Sequence, residues 1–450
     1  MKYRIALPPL LAVAMITAAG CGAATDLSDA RPANGEAGPV PIDVDGDGYG
    51  DLPISGVLGD PEDGDSYVGV LLGGEDGLSP ERSVILTATD LDLPGSPTLE
   101  GVLDTGDLDG DGHTDLIVTT DDDDGYLVLG GPEGPTGPAI PLSWLSSDIE
   151  RGLFAVSLAV GDMDGDGHTD VAFLDHIQGG PIDERESLYH RGPFDAEGEP
   201  AETRDLPLPE DIWDAELAAF DADGDAYQDL ILINGRDESP ATDLILRSGP
   251  DGPAEEVVGQ TPLSHTRASG DVDGDGIADL LIGISGIPNN EPGYEHELRP
   301  GYVDTLLGSE GYLDAEPIRL DRDGEGMPGD AEDGDGFGKE LLVGDVDGDG
   351  YDDVVSVGGP VYSYEEIFLL LGGPEGLRGT GSGPVNGPTS EEGTFGPHSL
   401  MDYNGDGYDD LLLSTGFPSR IGTSAEYALY LGGPDGFSDE PDTIFDTTDL

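Results

Sequence analysis

Seven stretches of this 450-residue chain repeat one arrangement of oxygen-bearing side chains, D-x-D-G-D-G-x-x-D, beginning at Asp43, Asp107, Asp162, Asp221, Asp271, Asp345 and Asp402. Position 3 is Asp45, Asp109, Asp164, Asp223, Asp273 and Asp347, with Asn404 in the last loop. Position 5 is Asp47, Asp111, Asp166, Asp225, Asp275, Asp349 and Asp406, and position 9 is Asp51, Asp115, Asp170, Asp229, Asp279, Asp353 and Asp410. Hard divalent cations take six to eight oxygen ligands, and calcium accepts the irregular geometry of a flexible loop. Position 7 would lend only its backbone carbonyl, which fits its variability: Tyr49, His113, His168, Tyr227, Ile277, Tyr351 and Tyr408. A solvated acidic turn would not require aspartate at the same offsets seven times.

Carboxylates so close repel one another, by about 3 kcal/mol per pair at roughly 5 Å and an effective dielectric near 20. Each loop is therefore expected to need a cation to form well, and Ca2+ is the expected cofactor. These are not EF-hands, which carry glutamate at position 12; here that position is Ile54, Val118, Phe173, Leu232, Ile282, Ser356 and Leu413. Position 6 is glycine except for Ala226 in loop four. Left-handed backbone costs a non-glycine residue about 1–2 kcal/mol, so the fourth site is expected to be the weakest. Asn404 removes one charge from the seventh and should weaken it less.

The elements that position these loops follow from the intervals. Successive loops start 64, 55, 59, 50, 74 and 57 residues apart. A period near sixty suits four strands of about five or six residues each with their turns. A short apolar run, such as Leu153 to Val160 or Phe337 to Val343, leads into each loop. The last aspartate opens a second run, as in Asp115-Leu116-Ile117-Val118, and a third ends in a glycine turn, as in Leu429-Tyr430-Leu431-Gly432-Gly433-Pro434. A weaker fourth run follows, such as Ser83 to Thr87 or Thr443 to Asp446. Apolar runs this short, bounded by glycine and proline, read as strands.

Seven four-stranded sheets bury their faces best when closed into a ring. The expectation is an all-β, seven-bladed β-propeller of four-stranded antiparallel blades over residues 41–447, closed by blade packing without an exchanged strand. In the long fifth interval, Ile287 to Leu298 and Asp321 to Gly336 are expected to form a protruding insertion. Its acidic runs DRDGEG and DAEDGDG are weaker candidates for an extra cation site.

The repeat resembles the FG-GAP repeat of the integrin α-subunit propeller and its bacterial relatives. Phe337-Gly338 and Phe395-Gly396 match the opening pair, the aspartate loops match the calcium loops, and Gly358-Gly359-Pro360 stands where "GAP" would. Most units lack the opening pair. The resemblance implies structural calcium between the first two strands of each blade and a propeller face used for protein or sugar recognition.

Residues 1–20 read as a lipoprotein signal peptide: a basic start, Met1-Lys2-Tyr3-Arg4, an apolar run too short to span a bilayer, then Ala18-Ala19-Gly20-Cys21. Cys21 is the only cysteine and the expected lipidation site. Residues 21–40 read as a flexible tether, and a bacterial outer-membrane lipoprotein, on its periplasmic or cell-surface side, is expected. The net charge of −79, from 96 acidic and 17 basic residues, repels nucleic acid and anionic lipid alike. Membrane contact is thus expected only through lipidated Cys21.

The expected function is a monomeric interaction or adhesion module, without catalysis, for a protein or glycan ligand. The alternatives are a calcium-dependent lectin and a polysaccharide-active enzyme. Sugar sites rely on stacking aromatics, and Trp144 and Trp213 are the only tryptophans. The seven histidines form no recognisable constellation, so no catalytic residue is assigned.

Overall fold

The computed structural model describes residues 42–58, 64–122, 124–145, 156–175, 187–206, 208, 215–221, 223–234, 242–254, 257–262, 266–286, 298–309, 316–359, 366–380, 385, 396–415, 426–438 and 440–446. The signal-peptide and tether segments with Cys21, residues 287–297 of the insertion, and Trp213, Pro360 and Phe395 lie outside the described residues.

The short apolar runs pair into seven antiparallel sheets among the described residues. Blades two to seven span 99–141, 156–205, 215–262, 266–321, 341–379 and 396–446, each with four strands in chain order. Blade one has three strands among the described residues: Leu52–Leu58, Asp65–Leu71 and Ser83–Thr87. It begins at the strand that follows its loop, so its position nearest the ring axis is not filled by a described strand. The weak fourth runs at Ser83–Thr87 and Thr443–Asp446 are strands with the bounds read from the sequence.

Second strands are apolar on both faces because each sheet is packed on both sides. In blade two, Leu116 and Val118 enter the core shared with blade one, while Ile117 between them enters the core shared with blade three. The buried residues fall into seven clusters, and each straddles two adjacent blades. The cluster of Leu52, Ile54 and Tyr67 with Met401, Leu412 and Tyr427 joins blade one to blade seven and closes the ring. Full burial of each such aliphatic side chain is worth about 1.5–3 kcal/mol. An open row would forfeit one of these seven interfaces.

Phe337 of the opening pair is wholly buried between blades five and six, edge-on to Phe368 at 5.6 Å. Gly338 follows at φ +78, and its nitrogen donates to Ser356 Oγ at 3.2 Å. The insertion departs from expectation. Residues 321–336 are not a protruding loop but lie back on blade six. Gly379 donates to the Glu325 carbonyl (2.9 Å), Gly359 to that of Asp335 (2.6 Å), and Arg322 pairs with Glu366 (2.8 Å). The Asp335 carboxylate accepts from Gly301, Glu332 and Phe337 nitrogens. Its acidic run thus serves a turn.

Candidate metal centres

Each aspartate loop from two to seven joins the first strand of its blade to the second; loop one precedes Leu52–Leu58 in the same register. All seven therefore crowd one end of the ring. Position 1 organises the loop from within. Asp43 accepts backbone N–H groups of Gly46 (2.7 Å) and Asp47 (3.1 Å) on Oδ1 and of Gly48 (3.0 Å) on Oδ2. Asp107, Asp345 and Asp402 repeat this set. Asp162 and Asp271 accept from positions 5 and 6. In loop four, Asp221 accepts from Gly224, Asp225 and Ala226, and Ala226 sits at φ +69 as its position requires. Position 3 accepts from position 5, as Asp47 N to Asp45 Oδ1 (3.2 Å). Position 5 accepts from position 7, as Tyr49 N to Asp47 Oδ1 (3.1 Å). Backbone donors thus meet part of the charge that the sequence assigned wholly to a cation.

Position 9 is the deepest group. Asp51, Asp115, Asp170, Asp229, Asp279, Asp353 and Asp410 are all at most 1% exposed. In Asp353 one oxygen accepts from Val346 N (3.1 Å) and the other from Gly372 N (2.9 Å), the turn after the third strand. Asp51, Asp115, Asp170, Asp279 and Asp410 use their two oxygens in the same way. Asp229 accepts from Ser248 N, where the other turns have glycine. Burial is the main force raising their pKa values: to about 7 in Asp51, Asp115, Asp229 and Asp279, about 6 in Asp170, and about 8 in Asp353 and Asp410. Burial, then the position 5 carboxylate, also raises Asp45, Asp109, Asp164, Asp273 and Asp347. Carboxylates held in this way favour a partner cation.

The carboxylates of positions 1, 3 and 9 bring oxygens within 4.8 Å of one another in loops one, two, three and five. That donor set is hard and anionic, as calcium requires. Loop four differs: its converging group is Asp221, Asp223 and Asp225, without Asp229. Asn404 in loop seven offers its amide oxygen to Asp406 N (3.0 Å) and turns its amide nitrogen to Asp406 Oδ2.

Two positions that carry no side-chain ligand tie neighbouring loops together. The position 8 nitrogen donates to the position 1 carbonyl of the preceding loop: Thr114 to Asp43, Gln228 to Asp162, Asp352 to Asp271, Asp409 to Asp345, and Gly50 to Asp402 across the closure. Asp352 and Asp409 also accept, through Oδ2, from the nitrogens of Asp271 and Asp345 (2.7 Å each). Position 7, read above for its carbonyl, lays its side chain over the position 4 glycine of the preceding loop. A methyl group added at Gly46 would meet His113 at 2.6 Å, at Gly348 Tyr408 at 2.7 Å, and at Gly405 Tyr49 at 2.6 Å. The recurrent bulk at position 7 and the glycine at position 4 were the available signals for this contact.

Cations from the chain itself also reach the loops. Arg191 pairs with Asp164 and, through Nη2 at 2.7 Å, with Asp166. Arg247 pairs with Asp223. Arg82 touches only Asp47 of loop one, at 3.3 Å, between partly exposed side chains.

The FG-GAP-like repeat family matches residues 107–173 and 345–413, which contain loops two, three, six and seven. Integrin alpha-PS5 of Drosophila melanogaster is 28% identical over 169 residues, 36% of this chain and 15% of that protein. Integrin alpha-PS2 of the same organism is 30% identical over 130 residues, 26% of this chain and 9% of that protein. The chain thus spans a small part of the length of these relatives. Among solved structures, an Agrocybe aegerita lectin that recognises non-reducing terminal N-acetylglucosamine aligns over 91% of this chain and 96% of its own, at 15% identity and a TM-score of 0.47. The Vibrio cholerae biofilm matrix protein Bap1 aligns over 85% and 71%, at 13% identity and a TM-score of 0.29.

Proposed function

The chain is an integrin-like β-propeller carrying FG-GAP repeats, and on that premise we propose that it is a calcium-fastened, non-catalytic module for adhesion or protein interaction outside the cytoplasm. The observation that carries this reading is how the aspartates are used. The repeated chemistry of the loops is spent on the ring: buried position 9 carboxylates hold loop to turn, and positions 7 and 8 hold blade to blade. Calcium, when bound, supplies two positive charges among carboxylates that otherwise repel.

Among the described residues, His190, His398 and Trp144 are engaged in packing. His398 is buried edge-on to Tyr427, and His190 is buried beside Trp144 with Nδ1 3.0 Å from Thr203 Oγ1. Burial pushes both imidazoles down to about 4. Trp144 is partly buried and packs on Phe173, His190 and Phe194 at the core between blades two and three.

Removal of calcium by a chelator is expected to lower the melting temperature, since binding energy is linked to loop formation. A melting curve that does not move would sink the structural-calcium reading. The anchor proposed at Cys21 has its own test: Cys21→Ala should shift the protein from the membrane to the soluble fraction. Among the described residues no helix is long and apolar enough to cross a membrane, so a variant that stayed membrane-bound would require an anchor of another kind.

A further inference from the structure

The residue just before the nitrogen that bonds each position 9 aspartate occupies one register position in all seven blades. It is Leu72, Leu129, Leu307, Leu371 and Leu431 in blades one, two, five, six and seven. In blades three and four it is Arg191 and Arg247. Leu72, Leu129, Leu307 and Leu431 pack against the inter-blade cores. The two arginines instead turn into the aspartate loop of their own blade. Arg191 bridges Asp164 and Asp166, and Arg247 pairs with Asp223. The position 3 side chains they reach are nearly closed to solvent, 1% exposed for Asp164 and 3% for Asp223. Arg82 in loop one is no counterpart: of that loop it meets only Asp47 at position 5, and the side chains there are 39% and 34% exposed.

We infer that loops three and four carry their cation in the chain: the guanidinium groups of Arg191 and Arg247 occupy the position that calcium takes in the other loops. A guanidinium offers planar donors that match carboxylate oxygens and stays charged at any ordinary pH. A divalent ion entering beside it would meet a like charge at the same carboxylates. Loop four differs from loops one, two, three and five, since its converging carboxylates leave out Asp229. Blades three and four are adjacent, so one sector of the ring is latched whether or not calcium is present, while the remaining five loops depend on it.

This inference rests on the calcium reading above, and its test separates the two. Equilibrium dialysis of the full chain against calcium, followed by elemental analysis, should count no more than five ions. Arg191→Leu and Arg247→Leu install the residue found in the other five blades, and each should gain one ion. As a control on unmodified arginines, Asp162→Asn and Asp221→Asn at position 1 should leave the count unchanged, whereas Asp107→Asn at the same position of loop two should lower it by one. Hydrogen exchange gives a second readout that needs no variant. Chelation should speed exchange in loops one, two, five, six and seven but leave 162–170 and 223–229 unaltered. A wild-type count of zero would sink the calcium reading. A count of seven, unchanged in either arginine variant, or exchange rising equally in all seven loops, would overturn the arginine assignment.

Discussion

Asp353 shows what one residue contributes. It is the last aspartate of its loop, the first residue of a strand, and a buried acceptor for nitrogens of the loop and of the turn after the third strand. Removing one partner of such a buried bond leaves the other unsatisfied, which costs more than the bond's net contribution to stability. Its pKa of about 8, and those of its six counterparts at about 6 to 8, stand above the ordinary 3.8 because burial penalises the charged form. A folded-state value raised in this way means the folded chain binds the proton more tightly than the unfolded one. The stabilisation is complete below about pH 4 and is lost as pH rises through about 6 to 8. The chelated protein should therefore lose melting temperature steadily between about pH 4 and pH 8. Saturating calcium should flatten that decline, since a cation offsets the ionised carboxylates. Parallel curves with and without calcium would show that these groups are not the calcium-linked ones.

At the scale of elements, the blade interface is the unit of stability. Phe337 fills the wedge between blades five and six, with Phe368 edge-on to it and Leu341 and Val354 in the same cluster. Phe337→Ala should destabilise the fold by about 3–5 kcal/mol, read as a lower denaturant midpoint with an unchanged slope. A cost below about 1 kcal/mol would mean the wedge collapses around the smaller side chain. Strand identity was readable from sequence because it depends on short local runs of apolar and β-branched residues bounded by turns: the runs at Ser83–Thr87 and Asp115–Thr120 are strands as read. The insertion at 321–336 was misread as protruding. Its contacts with Gly359, Glu366 and Gly379 come from the next blade, and no local pattern announces such partners.

For the whole molecule, the governing quantities are closure and charge. Closure at blade one uses the same devices as the other junctions: Gly50 N to the Asp402 carbonyl at 2.9 Å, Gly74 N to that of Tyr403 at 3.0 Å, and Tyr49 over Gly405. No described strand is exchanged to achieve it. The net charge of −79 works against compactness through self-repulsion. Raising sodium chloride shortens the screening length from about 30 Å at 0.01 M to about 3 Å at 1 M. The calcium-loaded protein should accordingly melt at a higher temperature at the upper end of that range; a flat response would mean local ion pairing already neutralises the surface.

Seven aspartate loops and their register against the following strand were present in the linear pattern, because each arises from residues within about sixty positions of one another and recurs; the ring was inferred from their number, and its closing contacts join the two ends of the repeat array. Ala226 announced its own left-handed backbone for the same reason. What a loop holds, and what it touches, came from folding. Position 8 finds its carbonyl on the preceding blade, and position 7 finds a glycine there. Arg191 and Arg247 stand where other blades have leucine, a difference visible in the sequence but without meaning until the third strand is laid beside the second. Only that pairing carries a guanidinium 27 residues back along the chain from Arg191 to Asp164, and turns a loop built for a metal ion into one that supplies its own cation.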